Sequence, residues 1–182
     1  MMREGFFDGG KRMEGNRKTT IMDGETMQRT LRRIAHQIIE NTDGAKDLVF
    51  IGIARRGVTI AHRIAGYIHE FENVDIPIGT LDITFYRDDL THGSDQPVVG
   101  ASNLGFDVNG KRIVLFDDVL YTGRTARAAM DAIMDMGRPN FIKFAVLVDR
   151  GHRELPIRAD FVGKNVPTAA HELISVKVTD FD

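Results

Sequence analysis

Two unbroken apolar runs constrain this chain most: Leu48-Val49-Phe50-Ile51-Gly52-Ile53 and Ile113-Val114-Leu115-Phe116. Neither alternates polar with apolar residues, so neither is a strand with one wet face. Such runs are strands buried on both sides, which belong to parallel sheets covered by helices. Residues 76–85 and Phe141 to Val148 read as further strands, and 172–178 as a last one. Helical spacing fills the gaps. Asp23 is placed to cap a first helix, whose Met27, Leu31, Ile34, Ile38 and Ile39 face inward before Asn41 to Gly44 ends it. A second helix carries Ile60, Ala61, Ile64, Ala65 and Ile68. A third carries Ala128, Ala129, Ala132, Ile133 and Met136, closed by Gly137 and Pro139. Strands alternating with helices predict an α/β fold with a central, mostly parallel sheet and right-handed crossovers.

The 182 residues suit one domain. Residues 1–20, with Gly5, Gly9, Gly10 and Gly15 among charged residues, read as a flexible tail before a single domain over 21–182. Lys and Arg number 24 against 26 Asp and Glu, a net charge of -2 that excludes coating nucleic acid by bulk charge but not a local basic face. With Cys at 0, disulfides, thiolate metal sites and a cysteine nucleophile are excluded, and a cytoplasmic setting fits. No apolar run approaches membrane-spanning length, so no membrane partner is expected.

Ligands of open α/β sheets bind beyond the carboxyl ends of the strands. Three such ends carry unusual residues. After the second run come Asp117-Asp118-Val119-Leu120-Tyr121-Thr122-Gly123-Arg124-Thr125. Adjacent carboxylates accept the two hydrogen bonds of a vicinal diol. The Thr-Gly-Arg-Thr turn entering a helix offers free N–H groups, two hydroxyls and a close-approach glycine to a phosphate. Together they describe a site for a ribose 5-phosphate. An Asp-ended strand or a Thr-capped helix is common alone, but the two rarely follow one apolar strand together. The first run ends in Gly52-Ile53-Ala54-Arg55-Arg56-Gly57-Val58-Thr59, a P-loop pattern with Val58 at the lysine position. An NTPase is therefore not read, but Arg55, Arg56 and Gly57 suit a second anion. The third end is Asp149-Arg150-Gly151-His152-Arg153.

The stretch Val114 to Thr125 resembles the phosphoribosyl-pyrophosphate signature of the type I phosphoribosyltransferases. Asp82-Ile83-Thr84-Phe85-Tyr86-Arg87-Asp88-Asp89-Leu90 and Val148 to Asp160 further resemble the pyrimidine operon attenuation regulators, which are also uracil phosphoribosyltransferases. The likeness runs from about Ile21 to Thr168. It implies the type I fold with a small hood and a mobile lid, and the transfer of phosphoribose from phosphoribosyl pyrophosphate to uracil, giving UMP. It also implies UMP-dependent binding of pyrimidine operon leader RNA. On that likeness Asp117 and Asp118 hold the ribose hydroxyls, and Tyr121, Thr122, Gly123, Arg124 and Thr125 surround the 5-phosphate. Arg55, Arg56 and Gly57 hold pyrophosphate. Arg87 reaches it from a lid beginning at Tyr86, and Val162 lies in a hood segment, Asp160 to Lys164, over the base. Mg2+ is expected, carried mainly by the pyrophosphate, so no dense cluster of protein ligands is required.

The RNA candidates are Arg32, Arg33 and His36 on the first helix, with Arg153, Arg158 and Lys164. Read without the resemblance, the helix arginines are an ordinary solvated face. The expected assembly is a homodimer or higher homo-oligomer. Two other functions fit the same residues: a phosphoribosyltransferase only, for uracil or another base, and an RNA regulator whose catalysis is vestigial.

Overall fold

The computed structural model describes residues 20–83, 102–168 and 174–177. Helix α1 spans Gly24–Asn41, strand β1 Leu48–Ile53, helix α2 Arg56–Glu72 and strand β2 Ile78–Leu81. Then come β3 Arg112–Leu120, α3 Arg124–Met136, β4 Phe141–Asp149 and β5 Phe161–Asn165. The strands lie in the order β2-β1-β3-β4-β5, and every neighbouring pair is parallel.

The alternation of side chains along β1 and β3 builds two cores. Phe50, Val114 and Phe116 meet Leu31, Ile34 and Ile38 of α1 and Ile60, Ile64 and Ile68 of α2 on one face. Val49, Ile51, Ile113 and Leu115 meet Ala129, Ala132 and Ile133 of α3 on the other. Each fully buried Leu, Ile or Phe contributes about 1.5–3 kcal/mol. The inner face of α3 is mostly alanine, with Ala126, Ala128, Ala129 and Ala132 buried in this second core. Among the described residues no helix is long and apolar enough to cross a membrane.

Four boundaries differ from the sequence-based expectations. Strand β3 does not stop at Asp117 but continues to Leu120, because its pairing with β4 continues through Asp117–Val146, Val119–Val148 and Leu120–Asp149. Arg56 and Gly57 open α2, so the preceding loop is only two residues. Strand β2 is four residues, with Asp82 and Ile83 beyond it. Residues 174–177 form no strand, although Val176 is buried against the α1 and α2 core.

Asp160 to Lys164, expected as part of a hood, is mostly β5 and completes the sheet. Its apolar pattern is weak because it is an edge strand. At Gly163 a Cβ would lie 2.3 Å from the Leu147 carbonyl oxygen and 2.9 Å from the Thr30 methyl of α1, so a side chain is excluded there. The tail over 1–19, the stretch 84–101 with the expected lid and Arg87, and residues 169–173 lie outside the described residues.

Candidate active site

The strand order reverses between β1 and β3. From β1 the chain steps out to β2, then returns to lay β3 on the other side. The carboxyl ends of β1 and β3 therefore flank a crevice with no crossover above it, the place where such sheets bind ligands. Two glycines draw its walls together. A Cβ at Gly52 would stand 2.4 Å from the Val58 Cα, and one at Gly57 would stand 2.3 Å from the Phe116 carbonyl oxygen. Only glycine lets the first turn of α2 pass this close to β1 and β3. The Ala54–Arg55 peptide bond in the intervening turn is cis. Arg55 is exposed, whereas Arg56 leans across the crevice and places Nη1 3.5 Å from Asp118 Oδ2.

Asp117 and Asp118 are half-buried at the end of β3. Each carboxylate accepts a hydrogen bond from the next residue's N–H: Asp118 N to Asp117 Oδ1 and Val119 N to Asp118 Oδ1, both 2.9 Å. These bonds fix the carboxylates as acceptors at the lip of the sheet. The chain then turns through Gly123, whose φ of 94° only glycine adopts without strain. Thr122 is locked from below: its carbonyl accepts from Glu154 N at 3.0 Å and Leu155 N at 3.2 Å, and its Oγ1 accepts from Arg124 N at 3.3 Å. Thr125 is half-buried in the first turn of α3. The Arg124 side chain folds onto Glu154, Nε to Oε2 2.7 Å, so its charge is shared.

The helix starts differ in a way that bears on ligands. Asp23 caps α1, accepting from Thr26 N at 2.7 Å. Hydrogen bonding by Thr26 holds its carboxyl below the ordinary 3.8. Helices α2 and α3 begin at Arg55 and Gly123, neither of which supplies a side-chain cap. Both of these starts face the crevice, where the positive dipole ends and first-turn N–H groups favour anions.

The segment after β4 supports this turn with residues the sequence reading did not assign to it. Arg153 donates to the Tyr121 carbonyl at 2.8 Å and the Ile157 carbonyl at 2.8 Å, and pairs with Asp149. Its guanidinium thus buckles the 149–157 segment to the phosphate turn. Arg150, 5% exposed, packs its guanidinium 4.1 Å from the Tyr121 ring centroid and donates Nε to Thr168 Oγ1 at 3.1 Å. The spacing of Asp149 and Arg153 was visible in the sequence, but in an irregular segment it fixes no partner.

The other basic candidates separate. Arg32, Arg33 and His36 share the exposed side of α1. Arg33 is tied by Nη2 to the carbonyls of Val162 at 3.1 Å and Gly163 at 2.7 Å, joining α1 to β5. Lys164 lies beside them, its Nζ donating to the Ile21 carbonyl at 2.8 Å. Arg158 is exposed on the segment between β4 and β5, and Arg153 belongs to the crevice rather than to the α1 face.

Residues 18–179 match the family described as phosphoribosyl transferase domain. Proteins of Clostridium novyi and Thermus aquaticus, both named bifunctional protein PyrR, are each 58% identical to this chain over 165 residues. The match covers 91% of this chain in both cases, and 93% and 91% of the respective relatives. Among solved structures, the hypoxanthine phosphoribosyltransferase of Trypanosoma cruzi superposes with a TM-score of 0.68 at 19% identity, over 84% of this chain and 83% of that one. The hypoxanthine-guanine enzyme of Bacillus anthracis gives 0.64 at 21%, over 82% and 83%. At such identities the two structures share the fold and say nothing of the base. With its acids at the end of β3, its open helix starts and this degree of likeness, the chain belongs to the phosphoribosyl transferase family, among the bifunctional PyrR relatives.

Proposed function

We propose that this protein transfers phosphoribose from phosphoribosyl pyrophosphate to uracil, forming UMP and pyrophosphate, and that it also binds pyrimidine operon leader RNA when UMP is present. One observation carries the enzymatic half. Asp117 and Asp118 stand at the end of β3, between the open start of α3 and the open start of α2. That arrangement meets a molecule with a phosphate, a diol and a second phosphate group in line. The relatives named bifunctional and the motifs around Asp82 and Asp149 support the base and the RNA.

In this reading the amides and hydroxyls from Thr122 to Thr125 bind the 5-phosphate. The Asp117 and Asp118 carboxylates accept from the ribose 2- and 3-hydroxyls. The start of α2, with Arg55 and Arg56, holds the pyrophosphate. The C1–O bond breaks as the pyrophosphate leaves and the uracil nitrogen bonds to C1, its proton passing to solvent. Positive charge develops on the ribose and negative charge on the leaving group. The two carboxylates stabilise the first and the cationic α2 start the second. The hard oxygen donors of Asp117 and Asp118 fit Mg2+ carried on the substrate, which would neutralise pyrophosphate charge. Val162, on β5, is assigned to the base side, and Arg87 to closure over the pyrophosphate.

RNA phosphates would meet Arg32, Arg33, His36 and Lys164, with Arg158 extending the face, and unpaired bases would supply specificity. A homodimer or larger homo-oligomer would present more than one such face. Quantifying UMP formed from uracil and phosphoribosyl pyrophosphate, beside a panel of hypoxanthine, guanine and cytosine, tests the enzyme. Product from a purine but not from uracil would overturn the assignment. A gel shift of the leader transcript with and without UMP tests the second activity. No shift in either state would leave an enzyme alone.

A further inference from the structure

Helix α2 lies beside the basic side of α1 and meets it with unlike chemistry. Arg32 of α1 donates Nη2 to Glu70 Oε2 of α2 at 2.8 Å, with both side chains just over half exposed. Its guanidinium carbon lies 4.9 Å from the ring centroid of Tyr67, one turn earlier on α2. One turn further on, His36 stacks on Phe71 with centroids 4.1 Å apart and rings inclined by 14°. Glu70 and Tyr67 also edge a cavity of about 630 Å3 lined by Arg63 and Lys177.

We propose that Glu70 occupies the place of an RNA phosphate on Arg32, so that RNA engages this face by displacing Glu70. This rests on the RNA-binding reading above and goes beyond it by naming a competitor within the chain. A carboxylate and a phosphate present the same paired oxygens to a guanidinium. An exposed ion pair holds weakly and exchanges partners readily. Tyr67 keeps the guanidinium in place during the exchange, because a cation over a ring face needs no particular anion. The displaced Glu70 has the Lys177 ammonium lining the same cavity. A polyanion bringing several phosphates at once displaces Glu70. A single anion contacting Arg32 alone gains little from the exchange. Glu70 thereby raises the threshold for weak or short ligands, discriminating by cost rather than by added affinity.

Filter binding of the pyrimidine operon leader transcript at saturating UMP tests this, with wild type, Glu70→Gln, Arg32→Ala and the double variant. Circular dichroism and thermal midpoints confirm that each is folded. Glu70→Gln is expected to tighten binding roughly two- to fivefold at low ionic strength, with a smaller gain as salt rises. On the Arg32→Ala background the same change is expected to do nothing. Equal tightening in both backgrounds would mean that only bulk charge had changed, and would overturn the proposal. So would an unchanged affinity for Glu70→Gln beside a weakened Arg32→Ala, since Arg32 would then reach RNA without displacing anything. If Arg32→Ala and an Arg33→Ala/Arg158→Ala variant both bind normally, the RNA face itself is misassigned and this inference falls with it.

Discussion

Helix α1 starts on a closed cap, whereas α2 and α3 start open. Asp23 satisfies the first turn of α1 at 2.7 Å, as far from the crevice chemistry as a cap can be in purpose. Neither Arg55 nor Gly123 supplies such a cap, and at α3 only the neutral Thr122 hydroxyl accepts, from Arg124 N at 3.3 Å. An uncapped helix start gives up about 1 kcal/mol of stability. Here both open starts face one crevice, and first-turn N–H groups with no capping carboxylate are what an anionic substrate can use. The contrast separates a helix end that serves folding from two that serve binding.

The largest effect should come from the acids between the open starts. Asp117→Asn keeps the shape and removes the charge. It is expected to lower kcat/KM for phosphoribosyl pyrophosphate by about 10²–10³, the scale of losing one oriented electrostatic partner, with an unchanged thermal midpoint. Wild-type steady-state kinetics would break the diol assignment. Gly57→Ala comes next. A Cβ 2.3 Å from the Phe116 oxygen must push α2 away from β3. A loss of about 2–3 kcal/mol in denaturant unfolding is expected, together with a raised KM for the same substrate. If stability fell and KM did not, the closeness of α2 to β3 would matter only for packing.

Arg55→Asp sharpens the contrast directly, by putting a carboxylate at the open start of α2. Arg55 is exposed. The thermal midpoint should hold or rise, because a negative charge suits a helix N-terminus. KM for phosphoribosyl pyrophosphate should rise about tenfold, as one repelled anion contact is worth about 1.4 kcal/mol here. A lower midpoint with unchanged KM would place the second anion elsewhere.

The crevice was legible in the sequence for a physical reason. Gly52, Gly57 and Gly123 are forced by backbone approach and by a positive φ, and the acids follow an apolar strand, so residue identity and place are coupled. Strand β5 was not legible, because an edge strand built around Gly163 carries no run of buried side chains. The end of β3 was misplaced because acids read as a stop signal, although the ladder with β4 continues past them. The partners of Arg32 and His36 were also hidden. Glu70 and Phe71 are some 35 residues away on another helix, and exposed pairings of this kind leave no periodic trace. Arg153 has partners that were hidden in the same way. Expected as an RNA contact, it also bonds to Asp149 and to the carbonyls of Tyr121 and Ile157, bracing the phosphate turn.

The smallest effect belongs to the closed cap, and its sign follows from the carboxyl of Asp23. Hydrogen bonding by Thr26, through its side chain and its backbone N–H, lowers the folded-state pKa below the ordinary 3.8. A carboxyl lowered on folding contributes stability that is fully present above its unfolded pKa and lost as pH falls through the folded one. Asp23→Ala should therefore melt earlier than wild type at neutral pH. The gap should narrow only below pH 3.8 and close once the folded carboxyl is protonated. UMP synthesis should not change, because this helix start faces no substrate. A gap that stayed constant into acid would mean that the cap acts through shape rather than charge. A loss of activity would mean that the closed and open helix starts are not separate in function.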